Sequence, residues 1–186
     1  GIMTSRSLDT TLSEAGETPL TTRSGFEMAL RPVRPEDAAI LDAFYDALAP
    51  DDMRYRFLSA QSHLSTAQLA ALVEVDHRHR EHLLAFERAG GELVATLLIA
   101  ADDRFENAEV AISVAPACKG RGVGWSLLHH AIDLARERGI ARLRSIESRA
   151  NCDAIEIERT LGFKSSDYEG DATLALLEID LRRQAG

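Results

Sequence analysis

Alternation of apolar and polar residues marks the middle of the chain. In "AEVAISVA" (residues 108–115), Val110, Ile112 and Val114 fall on one side of an extended chain, and the intervening residues fall on the other. "HLLAFERAGGELVATLLIA", just before it, is typical of two strands joined at Gly90-Gly91, a dipeptide that favours a tight hairpin turn. The pattern therefore predicts three consecutive strands.

Helical periodicity appears on both sides of these strands. After a first strand at Phe26–Val33, apolar residues recur from Ile40 at the spacing i, i+4, i+7 and i+8, which predicts an amphipathic helix. Two shorter helical segments follow, "DDMRYRFLS" and "STAQLAALVEV", the second with Ser65 as its candidate N-cap. Beyond the strands, a helix is expected from Gly122 to the region of Arg138.

The remaining chain alternates strand, helix and strand in "ARLRSIES", "NCDAIEIERTLG" and "TLALLEIDL". The complete order predicts a mixed α/β sheet covered by helices, and it excludes a doubly wound parallel fold. Residues 26–186 are expected to form this single domain. Residues 1–25 are rich in Thr, Ser, Gly and Glu without an apolar period, so they are predicted to be a disordered tail that begins with an expression scar.

Composition narrows the classes of function. The 186 residues suit one domain, and the formal net charge of -9 argues against general binding to nucleic acid or to an anionic membrane. No run approaches the roughly 20 apolar residues of a membrane span, and the N-terminus lacks the layout of a secretion signal. Cys118 and Cys152 provide neither a disulfide framework nor a metal-ligand spacing. We expect a cytoplasmic protein without a metal, as a monomer or homodimer.

The turn "KGRGVGWS", between the last of the three strands and the long helix, is the clearest candidate for chemistry. Gly120, Gly122 and Gly124 keep side chains away from main-chain N–H groups at the positive end of the helix, where phosphate binds. Lys119 and Arg121 add positive charge. The turn predicts a cradle for a diphosphate, although the motif alone is equally compatible with a packing turn that binds nothing.

The surrounding residues resemble the GNAT superfamily of N-acetyltransferases. The resemblance rests on Val114 and Pro116, on the loop Lys119–Gly124, and then on Asn151 and the "LGF" at residues 161–163. It covers residues 26–180 and implies a central, mostly antiparallel sheet that is splayed at the cofactor strand and flanked by helices. "LRPVRPEDAAILDAFYDALAPDDMRYRFLS" looks like the Pat-like branch, the catalytic domains of bacterial protein-lysine acetyltransferases.

This resemblance implies acetyl-CoA as co-substrate and assigns residues to it. Ser113 and Val114 are expected to meet the pantetheine arm, and Asn151 the distal part of the cofactor. The residues expected to surround the pyrophosphate are Lys119, Gly120, Arg121, Gly122, Val123, Gly124 and Trp125.

Glu109 is the candidate general base. A free lysine amine has a pKa near 10.4, so about one in 10³ is neutral at pH 7, and only the neutral amine attacks a thioester. Pattern alone favours a solvated glutamate at this position. The resemblance instead implies that Glu109 takes the surplus proton, while a main-chain amide near Val114 stabilises the oxyanion.

A general acid is not assigned by the sequence. Many relatives carry a tyrosine five residues before the phenylalanine of "LGF", but here that position is Glu158. The thiolate is expected either to leave without help or to take a proton from the product amine, since a thiol of pKa near 8.5 leaves readily.

The acceptor is expected to be a protein lysine, with "RYRF" (Arg54–Phe57) in the wall around it. Alternatives are a small amine such as a polyamine, an amino acid or a drug, and a non-catalytic acyl-CoA sensor. His77, His79 and His82 form a charged run for which a solvated loop is favoured over a metal site.

Overall fold

The computed structural model describes residues 16–57 and 63–182. In these residues a single sheet of eight strands has the order β1-β2-β3-β4-β5-β6-β8-β7. The strands are β1 (Thr18–Thr21), β2 (Glu27–Pro32), β3 (Arg80–Glu87), β4 (Leu93–Ala101), β5 (Asn107–Val114), β6 (Arg142–Ser148), β7 (Lys164–Asp167) and β8 (Leu174–Asp180). The α-helices are α1 (Ala38–Asp46), α2 (Pro50–Phe57), α3 (Thr66–Val73), α4 (Val123–Glu137) and α5 (Cys152–Thr160). The predicted mixed sheet flanked by helices is confirmed.

The sheet opens between β5 and β6. All neighbouring strands are antiparallel except these two, and their parallel register is confined to Asn107–Glu109 of β5 opposite Arg142–Arg144 of β6. Beyond this point each strand continues to its end without pairing to the other. The predicted splay at the cofactor strand is therefore present, and it begins directly after Glu109.

Helices cover the two faces of the sheet unequally. α4 packs on one face, where Leu127, Leu128 and Ala131 share a core with Val110 and Leu143 of the central strands. On the other face α1, α2 and α3 enclose a second core, and Tyr45 of α1 shares a hydrogen bond with Thr96 of β4 (3.0 Å). Because side chains alternate along a strand, successive β5 residues face these two layers in turn.

Local sequence explains where several elements begin and end. The Ser65 hydroxyl accepts a hydrogen bond from the Gln68 main-chain N–H (3.1 Å), which confirms the predicted cap of α3. Gly139, with φ 74°, follows the end of α4 in the left-handed conformation. The hairpin predicted at Gly90-Gly91 joins β3 and β4, and the Gly91 N–H donates to the Glu87 oxygen (2.8 Å).

The prediction of a disordered segment through residue 25 is wrong for its described part. Thr18–Thr21 form β1 and pair with β2, with Leu20 opposite Met28. β1 is the edge strand and is held by main-chain pairing with β2. A four-residue segment with one large apolar side chain gives no sequence signal for such pairing. Residues 1–15 lie outside the described residues.

The predicted solvated loop for the three histidines is wrong for His82. His82 lies in β3 with 0% of its surface exposed, and its Nδ1 is 2.8 Å from the Leu72 oxygen. His77 and His79 precede the strand and pair with Glu81 and Asp76. In the part of the chain that is described, no group of three or more His, Cys, Asp or Glu side chains converges as a metal site does. No described helix has the length and apolar character to span a membrane.

Candidate active site

The glycine turn forms an open loop between β5 and α4. Gly120 and Gly122 take left-handed φ angles of 78° and 81°, which L side chains rarely adopt. A Cβ added at Gly120 would meet none of the described atoms within 4 Å, so this side of the loop faces open space. None of the described side chains caps the first turn of α4 after Gly122. Its N–H groups are therefore available to an anion.

Two glycines also allow close packing of neighbouring segments. A Cβ at Gly122 would lie 3.6 Å from the Cβ of Thr22, and one at Gly124 would lie 3.6 Å from Cδ1 of Ile157 in α5. The start of α4 is consequently held between the N-terminal segment and α5.

The turn between β1 and β2 braces the loop. The Ser24 hydroxyl donates a hydrogen bond of 2.7 Å to the main-chain oxygen of Arg121. The Arg121 guanidinium lies 5.2 Å from the centroid of the Phe26 ring, and the Arg23 guanidinium lies 3.9 Å from that of Trp125. Sequence reasoning missed these contacts because the segment carries no apolar period.

The other loop residues differ in the groups that they can offer to a ligand. Lys119 forms an ion pair with Asp52 in the first turn of α2, which links the loop to the helix that carries "RYRF". Val123 is buried in the core, so only its main chain can contact a ligand. In "RYRF", Phe57 packs its ring edge-on to Tyr45 with centroids 5.4 Å apart.

Part of the β5 main chain faces the opening. The Ala115 N–H donates to the Val94 oxygen of β4 (2.8 Å), and successive residues of a strand direct their main-chain groups to opposite edges. The N–H and C=O groups of Ile112 and Val114 therefore point away from β4, where β6 is not paired with them. Ser113 directs its main chain at β4, and its buried hydroxyl has no hydrogen-bond partner among the described residues. Such an edge can pair with the amides of an extended ligand.

Glu109 lies where the sheet opens. Its side chain is exposed on the face that carries α1, α2 and α3, between Ala100 of β4 and Arg144 of β6 in register. Nε of Arg144 in turn lies 3.4 Å from a carboxylate oxygen of Glu178. Ala111, the next residue on the same face, is small and partly exposed. A carboxylate here can accept a proton from an amine at the opening.

A carboxyl pair lies on the opposite face. Asn151, at the N-cap of α5, donates from Nδ2 to Glu147 (3.4 Å), and the Ser145 hydroxyl donates to Glu147 (2.7 Å). Glu158 of α5 lies against Glu147 and Ser145 and is 5% exposed. Burial, and then the neighbouring Glu147, raise the pKa of Glu158 to about 9. The sequence signal that marks Glu158 is a carboxylate on the apolar side of an amphipathic helix.

Comparison with known proteins identifies the family. The model of the acetyltransferase (GNAT) family matches residues 41–163. This chain belongs to the GNAT family. It is therefore an N-acetyltransferase that uses acetyl-CoA.

Individual relatives of this GNAT enzyme agree with that assignment. It is 29% identical to an acetyltransferase of Pseudomonas aeruginosa (PA5475) over 159 residues, which is 84% of this chain and 86% of the relative. The solved GNAT domain of S. lividans PAT is 30% identical with a TM-score of 0.80, and the match covers 88% of this chain and 96% of that domain. A spermidine N-acetyltransferase of Vibrio cholerae, solved with CoA and spermine, shares the fold (14% identity, TM-score 0.70, 86% of this chain and 98% of that one).

The predicted site residues of the GNAT enzyme lie around one opening, except Ser113. Glu109 is at its closed end, Val114 lines its β5 edge, the loop of residues 119–125 follows, and Asn151 is the N-cap of α5. Ser113 does not line this edge, because its main chain points at β4 and its hydroxyl is buried. The residues present fit acetyl-CoA, because an open glycine loop suits a pyrophosphate and an unpaired strand edge suits the amides of pantetheine. The role of each residue stays a prediction.

Proposed function

We propose that this GNAT enzyme transfers the acetyl group to the Nε amine of lysine side chains in proteins. The observation that carries the proposal is the exposure of Glu109 beside β6, where the side chains of this face lie outside the core that α1, α2 and α3 enclose. In β6, Arg144 and Ile146 of this face are partly exposed, whereas Leu143 and Ser145 of the opposite face are buried. A protein surface can reach such a face, whereas a small amine needs a site that encloses it.

Similarity supports the same acceptor. The segment from Leu30 to Ser59 looks like the Pat-like branch of protein-lysine acetyltransferases, and the solved GNAT domain of S. lividans PAT has the same fold over most of this chain. Arg54 of α2 is exposed but pairs with Asp51 of the same helix, so charge at this helix adds no support for an acidic acceptor surface.

Binding of acetyl-CoA is assigned to the loop and the β5 edge. The main-chain N–H groups around Gly120, Gly122 and the first turn of α4 hold the pyrophosphate. The main chain of Val114 and Ile112 pairs with the pantetheine arm and orients the thioester in the opening. Asn151 is assigned to the distal part of the cofactor.

We assign to Glu109 the role of accepting a proton from the lysine amine. It takes the surplus proton of the lysine ammonium, directly or through one water, so that the neutral amine attacks the thioester carbonyl in a ternary complex. A β5 main-chain N–H that points into the opening, at Val114, stabilises the oxyanion.

The test follows radiolabel from acetyl-CoA into a cell extract with wild-type enzyme, Glu109→Gln and the control Glu106→Gln. Glu106 is also exposed and lies just before β5. We expect label in the protein fraction, loss of that label when the lysines of the extract are first methylated, and a fall of about 10²-fold or more for Glu109→Gln. Glu106→Gln should behave as the wild type.

Label confined to small molecules would contradict a protein acceptor. Equal rates for Glu109→Gln and wild type, with equal CoA affinity, would remove Glu109 from the role of base.

A further inference from the structure

Glu158 is a buried side chain with an unmet hydrogen-bonding requirement. Its Oε2 is buried and has no hydrogen-bond partner among the described residues. Buried polar atoms in folded proteins are almost always hydrogen-bonded, so an unpartnered carboxyl oxygen requires a reason. The hydrogen-bonding capacity of this oxygen is therefore unused among the described residues.

Glu158 carries a proton at neutral pH. Burial removes the carboxyl of Glu158 from water, which disfavours its charged form. The nearby Glu147 also opposes a second negative charge. Together these two effects raise the pKa of Glu158 to about 9. Glu147 is the better candidate for the charged partner, because the Ser145 hydroxyl and the Asn151 amide both donate hydrogen bonds to it. The pair therefore holds one carboxylate and one carboxylic acid.

Glu158 is placed beside the opening in the sheet. Ser145 is the first β6 residue beyond the parallel pairing with β5, and it shares the α4 face with Glu147. Glu158 lies against both residues. Its neighbour Ile157 packs at the start of α4, where a Cβ on Gly124 would lie 3.6 Å from Ile157 Cδ1. The contacts of Glu158 with Ser145 and Glu147 thus place its carboxyl beside the part of β6 that borders the opening.

The two carboxyl groups lie on opposite faces of the sheet. Glu109 lies on the face of α1, α2 and α3, and Glu158 lies on the face of α4 and α5. A thioester held in the opening between β5 and β6 would have the carboxylate of Glu109 on one face of the sheet and the protonated carboxyl of Glu158 on the other.

We propose that Glu158 is the general acid that protonates the sulfur of coenzyme A as it leaves, an inference that rests on the proposed function. As the tetrahedral adduct collapses, the C–S bond breaks and its electron pair stays on sulfur. Glu158 gives its proton to that sulfur, which forms the thiol, and becomes a carboxylate. The nitrogen loses two protons in forming the amide from the ammonium, through Glu109 and solvent; solvent returns one to Glu158, so each turnover releases one proton.

The test compares the pH dependence of kcat for wild type, Glu158→Gln and the control Glu156→Gln, an exposed glutamate on the same helix. Gln has nearly the shape of the neutral acid but carries no transferable proton. We expect the wild-type kcat to fall as the pH rises through the pKa of Glu158, since the acid must be protonated. Glu158→Gln should lose this alkaline limb and about ten-fold or more of kcat at pH 7, with CoA affinity by calorimetry within about two-fold of the wild type.

A second variant keeps the inference testable if Glu158→Gln folds poorly. Glu147→Gln removes the negative charge that favours the protonated form of Glu158, so the alkaline limb should move to lower pH. A merely structural role for Glu147 leaves that limb where it is.

The inference is overturned if Glu158→Gln keeps the wild-type kcat and alkaline limb, or if the limb does not move in Glu147→Gln. Failure of the proposed function looks different: the wild type itself then binds no CoA or acetylates no protein lysine. If Glu109→Gln loses activity and Glu158→Gln keeps full activity, Glu158 is not the general acid, while Glu109 keeps its role as the base.

Discussion

The hydroxyl of Ser24 donates a hydrogen bond of 2.7 Å to the main-chain oxygen of Arg121, across 97 positions of the sequence. It joins the turn between β1 and β2 to the glycine loop. The same turn places Arg23 over the Trp125 ring, 3.9 Å from its centroid. The N-terminal strand is thus part of the support of the site.

Ser24→Ala should weaken CoA binding. Loss of this hydrogen bond frees the loop at Arg121, and a typical net contribution of about 0.5–1.5 kcal/mol predicts a rise in Kd of roughly two- to ten-fold by calorimetry. Ser65→Ala, which removes the serine cap of α3 far from the loop, is the matched control. Ser65→Ala should lower the unfolding temperature without changing the Kd for CoA. An equal Kd for Ser24→Ala and wild type would show that the hydrogen bond from Ser24 does not affect the glycine loop.

The stability of the protein should fall as the pH rises from 6.5, the ordinary pKa of His82, to about 9. The folded pKa of Glu158 is raised to about 9 from its ordinary value of 4.5, so in this window the folded state binds more protons than the unfolded chain. The loss is at most about 1.4 kcal/mol per pH unit from this group. Urea unfolding at several pH values measures it.

Glu158→Gln should flatten this slope and stabilise the protein at pH 8, because Gln has no charge to suppress. Glu156→Gln, on the exposed side of the same helix, should keep the wild-type slope. Identical slopes in all three proteins would contradict a protonated Glu158 in the folded state.

Below pH 6.5, His82 should cause a separate loss of stability as the pH falls. Burial lowers the pKa of His82 to about 4 from its ordinary value of 6.5. Its stabilising contribution is therefore complete above pH 6.5 and is lost as the pH falls toward 4. His82→Asn keeps a hydrogen-bond donor toward the Leu72 oxygen and should reduce the loss of stability at acid pH. His79→Asn, outside the core, should keep the wild-type loss. An unchanged loss in His82→Asn would show that His82 does not cause it.

Elements with strong periodicity or special turn residues were predictable from the sequence. The hairpin at Gly90-Gly91 and the cap at Ser65 follow from local chemistry, and α4 follows from its apolar face and from Gly122 and Gly139 at its ends. These signals depend on residues that lie close together along the chain, so they can be recognised from a single sequence.

The short outer strands were not predictable in the same way. β1 ("TPLT") was predicted as tail, and β7 ("KSSD") has four exposed residues and no apolar position. Both are stabilised by main-chain pairing with a neighbouring strand, which leaves no side-chain period. His82 illustrates the same limit, since its burial follows from α3 packing over β3 and not from its charged neighbours.

The site was predictable in its parts but not in its arrangement. The resemblance named Glu109, the loop and Asn151. It gave no role to Glu158, whose altered pKa depends on Glu147, a residue of another element. Nor did it signal the contact of Ser24 with Arg121, which depends on β1 pairing with β2.

Calorimetric titration of CoA into Gly120→Ala and Gly139→Ala tests the central claim most directly. Both glycines have left-handed φ angles, 78° and 74°, and a Cβ at either meets no described atom within 4 Å, so both substitutions carry a similar strain of about 1–2 kcal/mol. Only Gly120 lies in the loop. The account predicts that Gly120→Ala raises the Kd for CoA about ten-fold or more while Gly139→Ala binds as the wild type; equal affinities in the two variants would contradict a loop that holds the pyrophosphate.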